Sequence, residues 1–149
     1  MGREQWQKQA VAPNDRAWLT TTLEATPFFK QDALIAAIAP KFESYAVAPG
    51  VIIVQEGISG NDLFLIQEGT VSVSKAKAEV SQLGPGNYFG EMAMLVNEER
   101  RSATVTALER CRFFVLRGSD FRALLAANPQ LKAFMEMMAK ARKEGFSGG

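Results

Sequence analysis

Residues 83–105 read LGPGNYFGEMAMLVNEERRSATV, and this stretch carries the most specific chemistry in the chain. It holds three glycines (Gly84, Gly86, Gly90), an acid at Glu91, a short apolar run, and Arg101 followed by Ser102, Ala103 and Thr104. The pattern predicts a glycine hinge, one helical turn over about Met92 to Val96, and a strand that starts near Ala103. Glu91 stands where a helix start favours a negative charge, and the free amides there suit an anion. Arginine has a planar fork that matches phosphate oxygens two at a time, Ser102 offers a hydroxyl, and the small Ala103 lets its amide approach an anion. An acid and an arginine so placed can hold a ligand with hydroxyls on one side and negative charge on the other. Taken singly, Glu91 reads as an ordinary first-turn acid and Arg101 as an exposed turn residue; their combination is what points to a site.

Outward from this stretch, the chain divides into three regions. From about Phe42 to Arg117, seven of the twelve glycines fall between Gly50 and Gly90 and separate short apolar runs. These runs are Val51 to Val54, Leu63 to Ile66 and Val71 to Val73, then Ala103 to Thr106 and Phe113 to Leu116. Strands this short at near-regular spacing predict an antiparallel β-barrel, roll or sandwich. The region before it reads helical. Asp15 can cap a turn carrying Trp18, Leu19 and Leu23 that stops at Pro27, and Leu34, Ile35 and Ile38 repeat at helical spacing before Pro40. Residues 1–14 show no clear period and read as a flexible or linker segment, or as part of an interface.

The region after the strands is helical again. Ser119 can cap a helix with Phe121, Leu124 and Leu125 on one face, and Asn128-Pro129 opens another. That second helix carries Leu131, Phe134, Met135 and Met138 at i, i+3, i+4 and i+7, with Arg142 continuing the same face. Residues 145–149 are rich in glycine and read as a disordered tail. The expected domain therefore spans residues 15–144.

Composition narrows the function classes. The chain has 149 residues and a net charge of +1, a balance that argues against electrostatic capture of nucleic acid or an acidic membrane. It contains no histidine, which removes the commonest general base and most zinc sites, so neither a catalytic nor a metal site is expected. The single cysteine, Cys111, lies in an apolar run and reads as a buried structural thiol, in keeping with a reducing cytoplasm. No stretch reaches the roughly 20 apolar residues of a membrane helix.

The segment Phe89-Gly90-Glu91-Met92-Ala93 followed by Arg101-Ser102-Ala103-Thr104 resembles the phosphate-binding cassette of cyclic nucleotide-binding domains. The look is nearest to the cytoplasmic sensor domains of bacterial cyclic nucleotide-gated channels and the ligand domain of catabolite activator proteins. The resemblance extends from about Phe28 to Lys143. It implies a mainly β fold with flanking helices: an eight-stranded, jelly-roll-like antiparallel β-roll with N-terminal helices, a short cassette helix and two C-terminal helices. It also implies that Glu91 binds the ribose 2′-hydroxyl, that Arg101 binds the cyclic phosphate, and that Ser102 and the Ala103 amide donate to phosphate or base. Arg142 would be a base contact, on a last helix that closes over the purine; the same apolar face read without the resemblance is static core or dimer packing.

The cassette departs from its usual form in having one more residue between acid and arginine, with Glu99-Arg100 in place of a proline turn. Arg101 rather than Arg100 is the matching arginine because it directly precedes Ser-Ala-Thr. The resemblance implies no enzyme, no cofactor and no metal, but a sensor for cAMP or cGMP that switches an unknown effector. Such a sensor can be the soluble part of a membrane channel, and its oligomeric state is open. The rival reading is a degenerate domain serving as a scaffold or oligomerisation unit.

Overall fold

The computed structural model describes residues 3–25, 32–90 and 101–145. The apolar runs explain its architecture. In β9 (Cys111–Leu116) and β4 (Leu63–Glu68), nearly every residue is buried, because both faces of the sheet they share are covered. Side chains alternate across a strand, so Phe64, Ile66, Phe113 and Val115 point into the roll while Leu63, Leu65, Phe114 and Leu116 point to the helices. Two clusters result, one between the sheets and one beneath the helices, and β4 and β9 are the wall between them.

That wall belongs to a five-stranded sheet in the order β1-β2-β9-β4-β7, which adds β1 (Gln7–Gln9), β2 (Glu43–Val47) and β7 (Tyr88–Phe89). Facing it is a four-stranded sheet in the order β3-β8-β5-β6, from β3 (Ile52–Val54), β5 (Val71–Lys75), β6 (Ala78–Leu83) and β8 (Thr104–Ala107). Every pairing is antiparallel. Eight of these strands run from Glu43 to Leu116, as the resemblance implies. The ninth, β1, is a departure: the aperiodic stretch read as linker contains a turn of 3-10 helix at Arg3–Gln5 and a strand paired to the edge of β2. Gly69 makes the β4–β5 turn at φ +89°, where an added Cβ would meet the Arg110 carbonyl at 2.5 Å. The β5–β6 turn instead places Ala76 and Lys77 at φ 51° and 70°, as a two-residue hairpin loop requires. Cys111 is fully buried, and desolvation pushes its thiol pKa up, as befits a structural residue.

Among the described residues, four α-helices cover the outer face: α1 (Pro13–Ala25), α2 (Asp32–Ile38), α3 (Gly118–Ala127) and α4 (Pro129–Gly145). Leu19, Leu23, Ile35, Ile38, Phe121, Leu124, Leu125 and Met135 bury against Leu63, Leu65, Phe114 and Leu116. Two caps differ from expectation. Proline takes the first position of α1, so Asp15 caps from inside the first turn, accepting from the Ala12 N–H at 3.0 Å. Helix α3 begins at Gly118, which puts Ser119 within the helix; the cap is supplied from afar by Asp62, whose Oδ1 accepts the Gly118 N–H at 2.7 Å. Residues 146–149 of the expected tail and the expected cassette turn at residues 92–96 lie outside the described residues.

Asp15 also docks α1 on the wall. Its Oδ1 accepts from Gln67 Nε2 at 2.9 Å and from Arg112 Nη2 at 3.2 Å, while Arg112 Nη1 donates to Glu68 at 2.7 Å. The Gln67 hydrogen bond, the Ala12 amide and the Arg112 charge hold the Asp15 carboxyl below the usual range. A lowered folded-state value contributes stability that is complete above the ordinary carboxylate pKa near 4 and is lost as pH falls through the lowered one. Asp15→Asn should therefore cost roughly 1–3 kcal/mol in urea unfolding at pH 7, and the gap from the parent chain should narrow at pH 3 and below. A gap that is the same at both pH values would contradict the docking role.

Candidate functional site

Arg101 enters β8 from a loop locked at both of its backbone groups. Its N–H donates to the Ile58 carbonyl and its own carbonyl accepts the Gly57 N–H, each at 2.9 Å. The side chain then turns inward and is 8% exposed. Nη1 donates to the Gly90 carbonyl at 3.0 Å and Nη2 to the Asp62 carbonyl at 3.3 Å, and the guanidinium carbon lies 5.5 Å from the centroid of the Phe64 ring. Phe64 is backed by Phe89, stacked at 4.7 Å with planes 4° apart.

Glycine makes room for this arrangement at two places. A Cβ on Gly60 would lie 2.7 Å from Arg101 Nε, and one on Gly90, at φ +97°, would lie 2.5 Å from the Asp62 carbonyl oxygen. Gly60, Asp62 and Gly90 thus form a cradle whose shape is complementary to the guanidinium. The cradle opens on a pocket of about 200 Å³ lined by Trp6, Ile52 to Gln55, Ile58 to Gly60, Asp62, Phe64 and Arg101. One end presents a buried positive charge and peptide groups; the rest mixes aliphatic and aromatic side chains with Gln55 and Ser59. Such a cavity suits a ligand with an anionic end and a flat apolar body. A guanidinium so placed offers a planar fork that suits the oxygens of an anion.

Of the residues that the sequence pointed to, Phe89, Gly90, Arg101, Ser102 and Ala103 lie together at or behind this end of the roll. Phe89 and Ala103 are buried in the cluster between the sheets, so their side chains support the site from behind, while Ser102 is half-buried. Glu91, Met92 and Ala93 lie outside the described residues. Arg142 falls within α4, but its side chain, like that of Met138, is also outside them. The apolar face of α4 packs on the helical cluster through Leu131, Phe134 and fully buried Met135, and none of these three lines the pocket. In this structure these three residues pack as part of the helical core.

Gly60, Asp62, Phe64 and Trp6 are site residues that sequence reasoning missed. Gly60-Asn61-Asp62 reads as an ordinary turn, and its only signal was a third glycine within a short reach of Pro49-Gly50 and Gly57. No helix among the described residues is long and apolar enough to cross a membrane.

Comparison with known proteins identifies the family. The family model described as the cyclic nucleotide-binding domain matches residues 46–128, from within β2 to the end of α3. A cyclic nucleotide-gated potassium channel of Mesorhizobium japonicum is 34% identical over 121 residues, which are 80% of this chain and 33% of the channel. The human potassium/sodium hyperpolarization-activated cyclic nucleotide-gated channel 3 is 33% identical over 110 residues, 74% of this chain and 14% of that one. The chain thus spans a third or less of the channels it matches. Among solved structures, the regulatory domain of Toxoplasma gondii PKA with cAMP superimposes with a TM-score of 0.70 at 26% identity, covering 76% of this chain and 45% of that one. A cyclic nucleotide-binding domain from Methylobacillus flagellatus shares the fold, with a TM-score of 0.76 at 23% identity over 96% of this chain and 88% of that one. A glycine-cradled arginine at one end of an eight-stranded roll, a matching family model over more than half the chain and relatives of the same kind agree: this chain belongs to the cyclic nucleotide-binding domain family.

Proposed function

We propose that this chain is a sensor module that binds cAMP or cGMP and passes the event to an attached effector or a partner. The observation that carries the reading is Arg101, a buried guanidinium held ready by two carbonyl oxygens at the wall of a pocket. On this reading the cyclic phosphate takes the place of one or both carbonyls at Arg101, with Ser102 and the Ala103 amide as further donors. Glu91 accepts the ribose 2′-hydroxyl, and Gly90, Met92 and Ala93 bring the backbone of the cassette close to the sugar. Phe89 supports Phe64 beneath the ligand. The ligand is bound and released without chemistry; the module is not an enzyme and uses no metal or cofactor.

Asp62 supports a route from pocket to helices. Its main-chain carbonyl holds Arg101 while its side chain caps α3, so a change at one is felt at the other through a single residue. Beyond α3, helix α4 would leave its packing on the core and cover the purine, with Arg142 against the base. The ligand must favour this closed arrangement differentially, or it would shift nothing. Methionines on the face that repacks suit it to more than one set of neighbours. The similarity to channels supports a role as the cytoplasmic regulatory part of a larger membrane protein, switching it rather than inserting in the bilayer.

Calorimetry with cAMP and with cGMP tests the assignment. Replacing Arg101 by Leu leaves a buried phosphate without its cation, a loss of roughly 3–5 kcal/mol. Arg101→Leu should therefore weaken binding by about two to three and a half orders of magnitude while the melting curve stays cooperative. Affinity within a few-fold of the parent would contradict the site. A parent chain that binds neither nucleotide would favour the scaffold reading instead. For the closing helix, a chain ending at Ala141 keeps Met135 in the core but loses Arg142. It should release nucleotide faster with little change in capture rate, and identical dissociation rates would remove α4 from the mechanism.

A further inference from the structure

The proposed ligand accounts for Arg101 but leaves one wall of the pocket without a role. Among the described residues, every lining residue but one comes from the segment 52–64 or is Arg101; the exception is Trp6, from the N-terminal segment that the sequence reads as a linker. Trp6 is no chance neighbour. The residue after it starts β1, paired to β2 at Gln7 with Ala46 and at Gln9 with Ser44, and Lys8 forms an ion pair with Glu43 at 3.2 Å. The indole packs edge-to-face on Tyr45, Phe64 and Phe113 at centroid distances of 5.4, 5.8 and 5.2 Å. It keeps part of its surface exposed.

We infer that Trp6 is a ligand-binding residue, and that its indole is the surface against which the purine base lies. The inference rests on the reading of the pocket as a cyclic nucleotide site. Arg101 and Trp6 share Phe64 as a neighbour, at 5.5 and 5.8 Å from its ring, so a ligand held by phosphate at Arg101 runs its body past Phe64 to the indole. Every base has a π-face, and stacking of a base on an aromatic side chain is among the larger sequence-tolerant contributions to nucleotide binding. Tyr45, Phe64 and Phe113 fix the orientation of the indole in advance, so little freedom is lost when the base arrives. On this account β1 is a functional part of the domain: its backbone pairing carries the tryptophan to the pocket.

The two tryptophans of the chain allow a direct test, because Trp18 stacks on Phe114 in the helical cluster, away from the pocket. In the full chain carrying Trp18→Phe, emission comes from Trp6 alone and should change saturably as cAMP is added, with the midpoint matching calorimetry. Trp6→Leu keeps an apolar side chain without a π-face and should weaken cAMP binding about tenfold, whereas Trp6→Phe should stay within about threefold of the parent. Melting curves of both variants confirm that the roll is intact. If the parent binds cAMP while Trp6→Leu binds equally well or more tightly, the inference is overturned; tighter binding would make Trp6 an obstruction rather than a platform. If the parent binds neither cAMP nor cGMP, the nucleotide reading itself falls and this inference falls with it.

Discussion

The structure of the site depends on one buried cation. Arg101 is drawn into the roll, where leaving water is costly unless the charge meets good acceptors. The carbonyls of Gly90 and Asp62 meet it, and Phe64 offers the face of its ring. Around this one requirement the neighbouring residues follow. A Cβ at position 60 would push the Arg101 side chain from its place, and Gly90 takes a positive φ where its carbonyl meets the guanidinium. The loop before β8 is pinned through both backbone groups of Arg101 to the strand-end turn at Gly57 and Ile58. Held this way, the guanidinium has its direction fixed by the backbone around it.

The same cation is linked to the rest of the molecule through Asp62. The wall formed by β4 and β9 separates the pocket side from the helical side, and both of its faces are buried, so the helices cannot sense the pocket through loose packing. Asp62 immediately precedes β4 and spans the two sides: main chain toward Arg101, carboxylate toward the first amide of α3. Helix α4 follows α3 directly and is anchored by Met135 in the helical cluster. Only Asn128 separates the two helices, so the proposed route through Asp62 would run from α3 straight into α4.

Much of this was legible in the sequence, and the limits of legibility have a physical cause. Local patterns worked where one segment carries its own information. Gly90 and Arg101, singled out together, meet through a hydrogen bond at the pocket, and Leu63 to Ile66 and Phe113 to Leu116 read correctly as strands. The helical periods of Leu19 and Leu23, and of Phe121, Leu124 and Leu125, likewise named residues that are buried. What failed was anything decided by a distant partner. Asp62 caps a helix 56 positions away, so Ser119 seemed the better candidate. Gln7–Gln9 is polar and has no period, because an edge strand is specified by the backbone it pairs with and by the Trp6 anchor beside it. The apolar face of α4 could be read as lid or as core from its spacing alone, and spacing does not reveal that Leu131, Phe134 and Met135 pack on the helical cluster here.

The central claim is that Arg101 is held in reserve by carbonyl oxygens and passes to the ligand phosphate. A crystal structure of the chain grown with saturating cAMP tests it most directly. The account predicts phosphate oxygens within hydrogen-bonding distance of the Arg101 guanidinium and the Arg101 contact with the Asp62 carbonyl or the Gly90 carbonyl replaced. A nucleotide bound elsewhere, with both carbonyl contacts of Arg101 unchanged, would contradict it.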